Sequence, residues 1–435
     1  MKTNPIMEMI RRREAGSSEA LPSYCTANAL VIEALLRQAK RFPAPILIEA
    51  TANQVNQYGG YTGMRPADFR DFVYALADRA GFPRERILLG GDHLGPLTWA
   101  KEPEESAMAK ARELVRLFVL AGYQKIHLDT SMKVGDDPAD EMLPDAVIAR
   151  RGAELYRVCE EAWRELLETD PEAVHPAFII GSEVPIPGGA TEEEDTLNVT
   201  RPEALEATLS AYRAAFASEG MADAFDHVVG VVVQPGVEFG DAEVFHYDRE
   251  KAAALCRAAR AQKGIVLEGH STDYQSRAHL RQMAEDGIAI LKVGPALTFA
   301  LREGLFALSM MEEQLVPEER RADFIGTLER AMLAAPGSWD RHYHGTEAEL
   351  AVKRRFSFSD RCRYYFALPE VEGAMNALIE NMNGAEIPLS MLHQYLPLQY
   401  PKVRDGLLPM EARALLFDSV TEMADDYNYA VGNLG

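Results

Sequence analysis

Eight short aliphatic runs, each followed by a helical stretch, constrain this chain more than any other feature. They are ALPSYCTAN (20–28), APILIEATAN (44–53), RILLGGDH (86–93), KIHLDTS (125–131), AFIIGSEVP (177–185), HVVGVVVQP (227–235), GIVLEGHS (264–271) and IAILKVGPA (288–296). Most are near-continuous Val, Ile and Leu, the pattern of strands covered on both faces. The stretches between them, such as 66–81 and 104–122, space apolar residues three or four apart and end in glycine, a usual helix stop. Eight β-then-α units predict an α/β fold, a (β/α)8 TIM barrel over residues 1–300. No glycine-rich dinucleotide fingerprint follows the first run, which argues against an open doubly wound sheet. Beyond residue 300 the pattern changes to a long helix, a turn-rich link (AMLAAPGSWDRHYHG) and further aromatic-rich helical sequence. This predicts a helical C-terminal extension, 301–435, packing on the barrel or on a second subunit.

Composition narrows the function. The 435 residues are 47% hydrophobic and 26% charged, as in a soluble globular protein. A net charge of −22 excludes general binding to nucleic acid or anionic membrane, which need a cationic face. It leaves room for an anionic small substrate gripped by a few Lys or Arg. No apolar run approaches the roughly 18 residues of a membrane span, and the opening MKTNPIMEMIRRREAG lacks a signal-peptide core. A cytoplasmic location is expected. The four cysteines, Cys25, Cys159, Cys256 and Cys362, are widely spaced and are expected to be reduced.

In such a barrel, chemistry sits at the C-terminal ends of the strands. The polar residues there are Asn28, Glu49, Asn53, the adjacent pair Asp92 and His93, then His127, Asp129, Ser131, Ser182, Glu183, Gln234, Glu268, His270, Asp273 and Lys292. A single strand-end histidine is more often a core residue than a ligand. His93, Glu183 and His270 at three strand ends are together the donors a divalent ion takes while leaving a position for substrate. Zinc is the expected ion, with manganese, cobalt and nickel as the other candidates. The glycines and proline of LGGDHLGP turn the chain so that His93 and Asp92 both face the site, Asp92 as a proton-transfer group. The bland alternative is that Asp92 caps the next helix.

The stretches LIEATANQVNQYGGYTGMRPADF, LGGDHLGP, KIHLDTSM, GSEVPIPGG, VVQPGVEF, EGHSTDY and LKVGPALTFALRE, with the tail motifs FSFSDRCRYYF and IPLSMLHQYLP, closely resemble the GatZ/KbaZ family. That family is the so-called non-catalytic subunit of class II D-tagatose-1,6-bisphosphate aldolase, and some members carry the name tagatose-6-phosphate kinase. It is in turn distantly similar to the catalytic class II aldolases. The resemblance implies that Asp92 is the proton donor and His93 a zinc ligand, that Asp129 is an accessory metal-site acid, and that Glu183 and His270 complete the ligand set. Two positions depart from the aldolases. Gln234 stands where they have a further zinc histidine, so its amide oxygen or Glu183 is the expected substitute. Their phosphate cradle is replaced by STDY. Ser271, Thr272 and the helix start after Gly294 are candidates to hold one phosphate. Asn53, Gln54 and Gln57 suit a neutral polyol equally well, and Asn28, Ser131 and Lys292 are further expected substrate contacts.

Two functions follow. In one, the chain performs metal-dependent C3–C4 retro-aldol chemistry on tagatose, fructose or their phosphates, as an aldolase or a 4-epimerase, with Asp92 on one face and Glu268 or Asp273 on the other. In the other, it stabilises a separate catalytic class II aldolase subunit. A homo-oligomer is the expected assembly. A sugar kinase is excluded by the lack of a nucleotide-phosphate loop.

Overall fold

The structure is a computed structural model that describes residues 3–183 and 197–434. Its strands are β1 (Leu21–Cys25), β2 (Ile46–Thr51), β3 (Ile87–Leu94), β4 (Lys125–Leu128), β5 (Ala177–Ile180), β6 (Val228–Val233), a two-stranded ribbon of β7 (Glu238–Phe239) and β8 (Val244–Phe245), then β9 (Val266–Gly269) and β10 (Ile288–Val293). The other eight form a closed barrel in the order β1-β2-β3-β4-β5-β6-β9-β10, β10 pairing back to β1. All its pairings are parallel. Each predicted aliphatic run holds one barrel strand, and β2, β3, β6 and β10 are buried along almost their whole length, as continuous hydrophobicity requires.

The N-terminal end of the barrel is plugged. Helix Pro5–Glu14 starts at Asn4, whose side-chain oxygen accepts from the Ile6 amide, with Pro5 preset for the first turn. The Asn4 amide group donates to the Gln124 and His175 carbonyls and so fixes the helix to the barrel. Ile6, Met9 and Ile10 pack against Leu21, Leu47, Leu88, Ile179, Val266 and Ile290. Each such side chain contributes about 2 kcal/mol by burial.

Two glycines of LGGDHLGP are required by close approach. A Cβ on Gly90 would lie 2.4 Å from Glu49 Oε1, and one on Gly95 would lie 1.7 Å from the Asp129 carbonyl oxygen. Gly90 is in register with both Glu49 and Lys125, so its missing side chain lets those two groups meet.

The extension belongs to the same hydrophobic core as the barrel. Helix Pro295–Leu315 begins directly after β10 and runs through residue 300. Helix Ala412–Ala430 packs on it, on Arg277–Asp286 and on Ala29–Ala39. All four cysteines are free thiols. Among the described residues no helix is long and apolar enough to cross a membrane.

Gly95→Ala should cost about 3 kcal/mol or more, because backbone rather than a flexible side chain opposes the new methyl. Gly373→Ala, in an exposed helix position with nothing within 4 Å, should be neutral or stabilising by about 0.5–1 kcal/mol. Unfolding curves of the two variants against wild type check both.

Candidate functional site

His93, His127 and His270 converge at the C-terminal end of the barrel, from β3, from β4 and from just beyond β9. Their ring centroids are 5.1 Å (His93–His127), 4.9 Å (His93–His270) and 5.3 Å (His127–His270) apart. With Asp92 they form a buried group in which one ligand atom from each lies within 4.8 Å of the others. The backbone pays for this aim. His93 and Ser271, on either side of the site, have φ of +49° and +53°, a left-handed conformation costing of order 1–3 kcal/mol outside glycine. β3 also slips register against β4 between Gly91 and Leu94. The slip and the left-handed turn let the neighbours Asp92 and His93 both face inward, where a regular strand would send them to opposite sides.

Each imidazole is held from behind by a carboxylate. His93 Nδ1 is 2.8 Å from Asp129 Oδ2, His127 Nδ1 is 2.9 Å from Asp92 Oδ1, and His270 Nε2 is 3.0 Å from Glu268 Oε1. An ionised carboxylate only accepts, so those nitrogens donate. The lone pairs then fall on Nε2 of His93, Nε2 of His127 and Nδ1 of His270. His127 Nε2 is buried and has no hydrogen-bond partner. Three nitrogens converging from carboxylate-backed imidazoles are the donor set of a catalytic zinc-type centre, and the residues fit a divalent ion. Burial, followed by the charge of Lys292, pushes His270 down to about 3, into the neutral state a metal takes. Despite burial, the charge of a protonated His93, that of Lys292 and the His127 hydrogen bond hold Asp92 well below the usual carboxylate range. Asp92 and Asp129 in turn raise His93 against its burial, so a divalent ion would compete with a proton there.

Beneath the imidazoles runs a chain of buried ions. Lys125 Nζ lies 2.6 Å from Glu49 Oε1 and 2.9 Å from Glu268 Oε2, and Lys292 Nζ lies 2.5 Å from both Glu49 Oε2 and Asp92 Oδ2. Carboxylates on two sides outweigh the burial of each lysine and raise both above the usual range.

A cavity of about 380 Å³ opens over this centre. Asn28, Asn53, Gln54, Asp92, His93, His270, Ser271, Asp273 and Lys292 line it, so most of the expected substrate contacts are brought together. Asn28 and Gln54 also serve the backbone, capping Leu30 and Val31 and accepting from Thr51. The far wall comes from the extension, through Arg363, Tyr364, Phe366 and Met375. Sequence reasoning passed over these residues.

Other expectations need correction. Glu183 is exposed and accepts from the Thr200 hydroxyl at 2.5 Å, outside the ligand group, and most of its GSEVPIPGG motif lies outside the described residues. Gln234 spends its amide oxygen on the Gly236 and Val237 amides, shaping its own turn. The imidazole that stands with His93 and His270 is instead His127, which the sequence placed on the rim without a ligand role. Asp129 is a support for His93, braced in turn by the Ser131 hydroxyl, so neither is an independent metal or substrate contact. Glu268 is fully buried, with one oxygen on His270 and the other on Lys125, and does not line the cavity. Gln57 turns away to the Lys110 carbonyl, and Thr272 donates to the Lys292 carbonyl beside the Tyr427 hydroxyl. Asp273 caps the helix after β10, accepting from the Gly294 and Ala296 amides.

A closed (β/α)8 barrel with a histidine–carboxylate centre at its strand ends defines the class. Residues 6–432 match the D-tagatose-1,6-bisphosphate aldolase subunit GatZ/KbaZ-like family, and the chain belongs to it. It is similar in structure to a probable tagatose 6 phosphate kinase from Sinorhizobium meliloti 1021, at 45% identity and a TM-score of 0.86, covering 94% of this chain and all of that one. A fructose-bisphosphate aldolase from Campylobacter jejuni superposes with a TM-score of 0.42 at 13% identity over 91% of this chain and 95% of its own.

His127→Ala should abolish stoichiometric zinc or manganese binding, whereas Glu183→Gln should leave it unchanged. Asp129→Asn should weaken it about 10–100-fold, as loss of a ligand's carboxylate support does. Metal analysis after dialysis against graded chelator distinguishes the three.

Proposed function

We propose that this chain cleaves and re-forms the C3–C4 bond of ketohexoses, tagatose or fructose or their phosphates, as an aldolase or a 4-epimerase. Three carboxylate-backed imidazoles beside a sugar-sized cavity, with His93, His270 and Asp92 in its lining, carry this reading, and membership of an aldolase-subunit family supports it. A divalent ion held by His93, His127 and His270 would supply Lewis-acid polarisation of the ketose carbonyl. Asp92, ionised and fixed by His127 and Lys292, takes the proton of the C4 hydroxyl as the C3–C4 bond breaks. The bond's electron pair moves onto the C2 carbonyl unit as an enediolate, and C4 becomes an aldehyde. Release of the aldehyde completes an aldolase reaction. Re-addition to its other face inverts C4, and the new C4 alkoxide then needs a proton from a second acid. Asp273 is the candidate for that acid: it lines the cavity, burial pushes it up to about 6, close to neutral pH, and its two backbone contacts both fall on Oδ1. Glu268 acts at a distance, by holding His270.

A second reading, a subunit that stabilises a separate catalytic aldolase, rests on the family's description as an aldolase subunit. A kinase has less support, because the sequence carries no phosphate-cradling GxxxxGK[ST] loop.

With metal supplied in excess, Asp92→Asn should lower turnover of fructose to tagatose, or of their phosphates, by roughly 10²–10⁴-fold, followed by NMR. Because Asp92 also backs His127 and pairs with Lys292, the variant should bind metal about 10–100-fold more weakly and melt lower, so turnover is compared at metal concentrations that saturate both proteins. Wild-type protein that turns over none of these sugars yet lengthens the half-life of a class II aldolase would replace this reading with the second.

A further inference from the structure

Besides the imidazoles, two side-chain cations among the described residues line the cavity, Lys292 and Arg363. Lys292 is spent, sitting 2.5 Å from each of two carboxylate oxygens. Arg363 makes no ion pair with any described residue. Its guanidinium is nonetheless firmly set. Nη1 donates to the Ser359 and Asp360 carbonyls, Nη2 donates to the Tyr364 hydroxyl at 3.0 Å, and the group lies 4.5 Å from the centre of the Tyr364 ring. Tyr364 in turn packs edge-on against Tyr61 of the loop after β2.

The segment carrying Arg363 is tied to the barrel. Asp360 turns it with φ of +46° and accepts from Thr298 Oγ1 at 2.6 Å and Arg302 Nε at 2.8 Å. The Tyr274 hydroxyl donates to the Phe358 carbonyl, and the Phe358 amide to the Asp241 carbonyl. A cation oriented this way has lost its rotamer freedom before any ligand arrives, which is what preorganised recognition needs. The other place where a barrel of this kind holds an anion, the helix start after the last strand, is filled by Asp273, which takes the Gly294 and Ala296 amides.

We propose that Arg363 is the anion-recognising residue of this cavity, binding a terminal oxyanion of the sugar, phosphate or carboxylate, on the wall contributed by the extension. The inference rests on the ketohexose reading for the sugar and on the geometry of Arg363 for the charge. Charge-assisted guanidinium contacts of this kind are worth about 10- to 100-fold in affinity.

The test is calorimetric binding to the full chain loaded with zinc, which needs no turnover. The probes are fructose, fructose 6-phosphate, fructuronate (its C6 carboxylate counterpart) and inorganic phosphate. Wild type should bind one of the two anionic sugars at least tenfold more tightly than fructose, and which one it prefers tells phosphate from carboxylate. Arg363→Gln should bring that ratio close to one. Arg363→Lys, which keeps a charge but not the planar fork, should fall between, with circular dichroism confirming that both variants fold. A wild-type ratio near one, or an undiminished ratio in Arg363→Gln, overturns the proposal. Should no sugar bind, the ketohexose reading falls, and inorganic phosphate decides for Arg363: saturable binding lost in Arg363→Gln upholds it, and its absence in wild type refutes it.

Discussion

The site depends on a chain of five buried ions, Glu268–Lys125–Glu49–Lys292–Asp92, running across the inside of the barrel. Taking an ion out of water costs several kcal/mol, and this arrangement offsets the cost because each lysine meets two carboxylates. Removing either lysine would leave buried negative charge uncompensated, a loss of about 3–5 kcal/mol. The chain also reaches the chemistry at both ends. Glu268 orients His270 and Asp92 orients His127, so the direction of two imidazoles is set by charges one layer below them. The apolar plug of Ile6, Met9 and Ile10 closes the N-terminal end, and Gly90 provides the gap through which Glu49 reaches Lys125.

The barrel was legible because strands buried on both faces must be aliphatic throughout, and eight such runs have few other ways to fold together. The site was legible where local chemistry decided it. An acid beside a histidine between a glycine pair and a Gly-Pro announces a turn that aims both, and the left-handed φ at His93 is that turn. What remained hidden depended on distant partners. Lys125 and His127 on β4 and Asp129 just past its end are spaced by two, a signal that points inward but does not say what the residues meet there. Thr272 and Gln57 looked like ligand contacts, yet the Lys292 and Lys110 carbonyls claim them. Resemblance misled at Gln234. Its position suggested a weakened ligand set, while the imidazole that joins His93 and His270 in the buried group is His127 of β4.

The helical extension is part of the site's construction. Tyr427 donates to the Thr272 carbonyl at 2.8 Å, one residue beyond the left-handed Ser271 that follows His270. Asp360 is gripped by Thr298 and Arg302 of the helix that follows β10. Through such contacts the strand-end loops are braced from outside the barrel, which helps keep unfavourable φ values in place at the centre.

Tyr427 also brings in time. It is translated 134 residues after Val293, where the last barrel strand ends, an interval of roughly seven to twenty-seven seconds at ordinary elongation rates. Through that interval all eight strands are already made, while the outer faces of helices Ala29–Ala39, Arg277–Asp286 and Pro295–Leu315 wait uncovered for helix Ala412–Ala430. The nascent protein therefore passes through a stage in which its barrel can close before its cover exists, exposing apolar surface to holding chaperones and to neighbouring nascent chains.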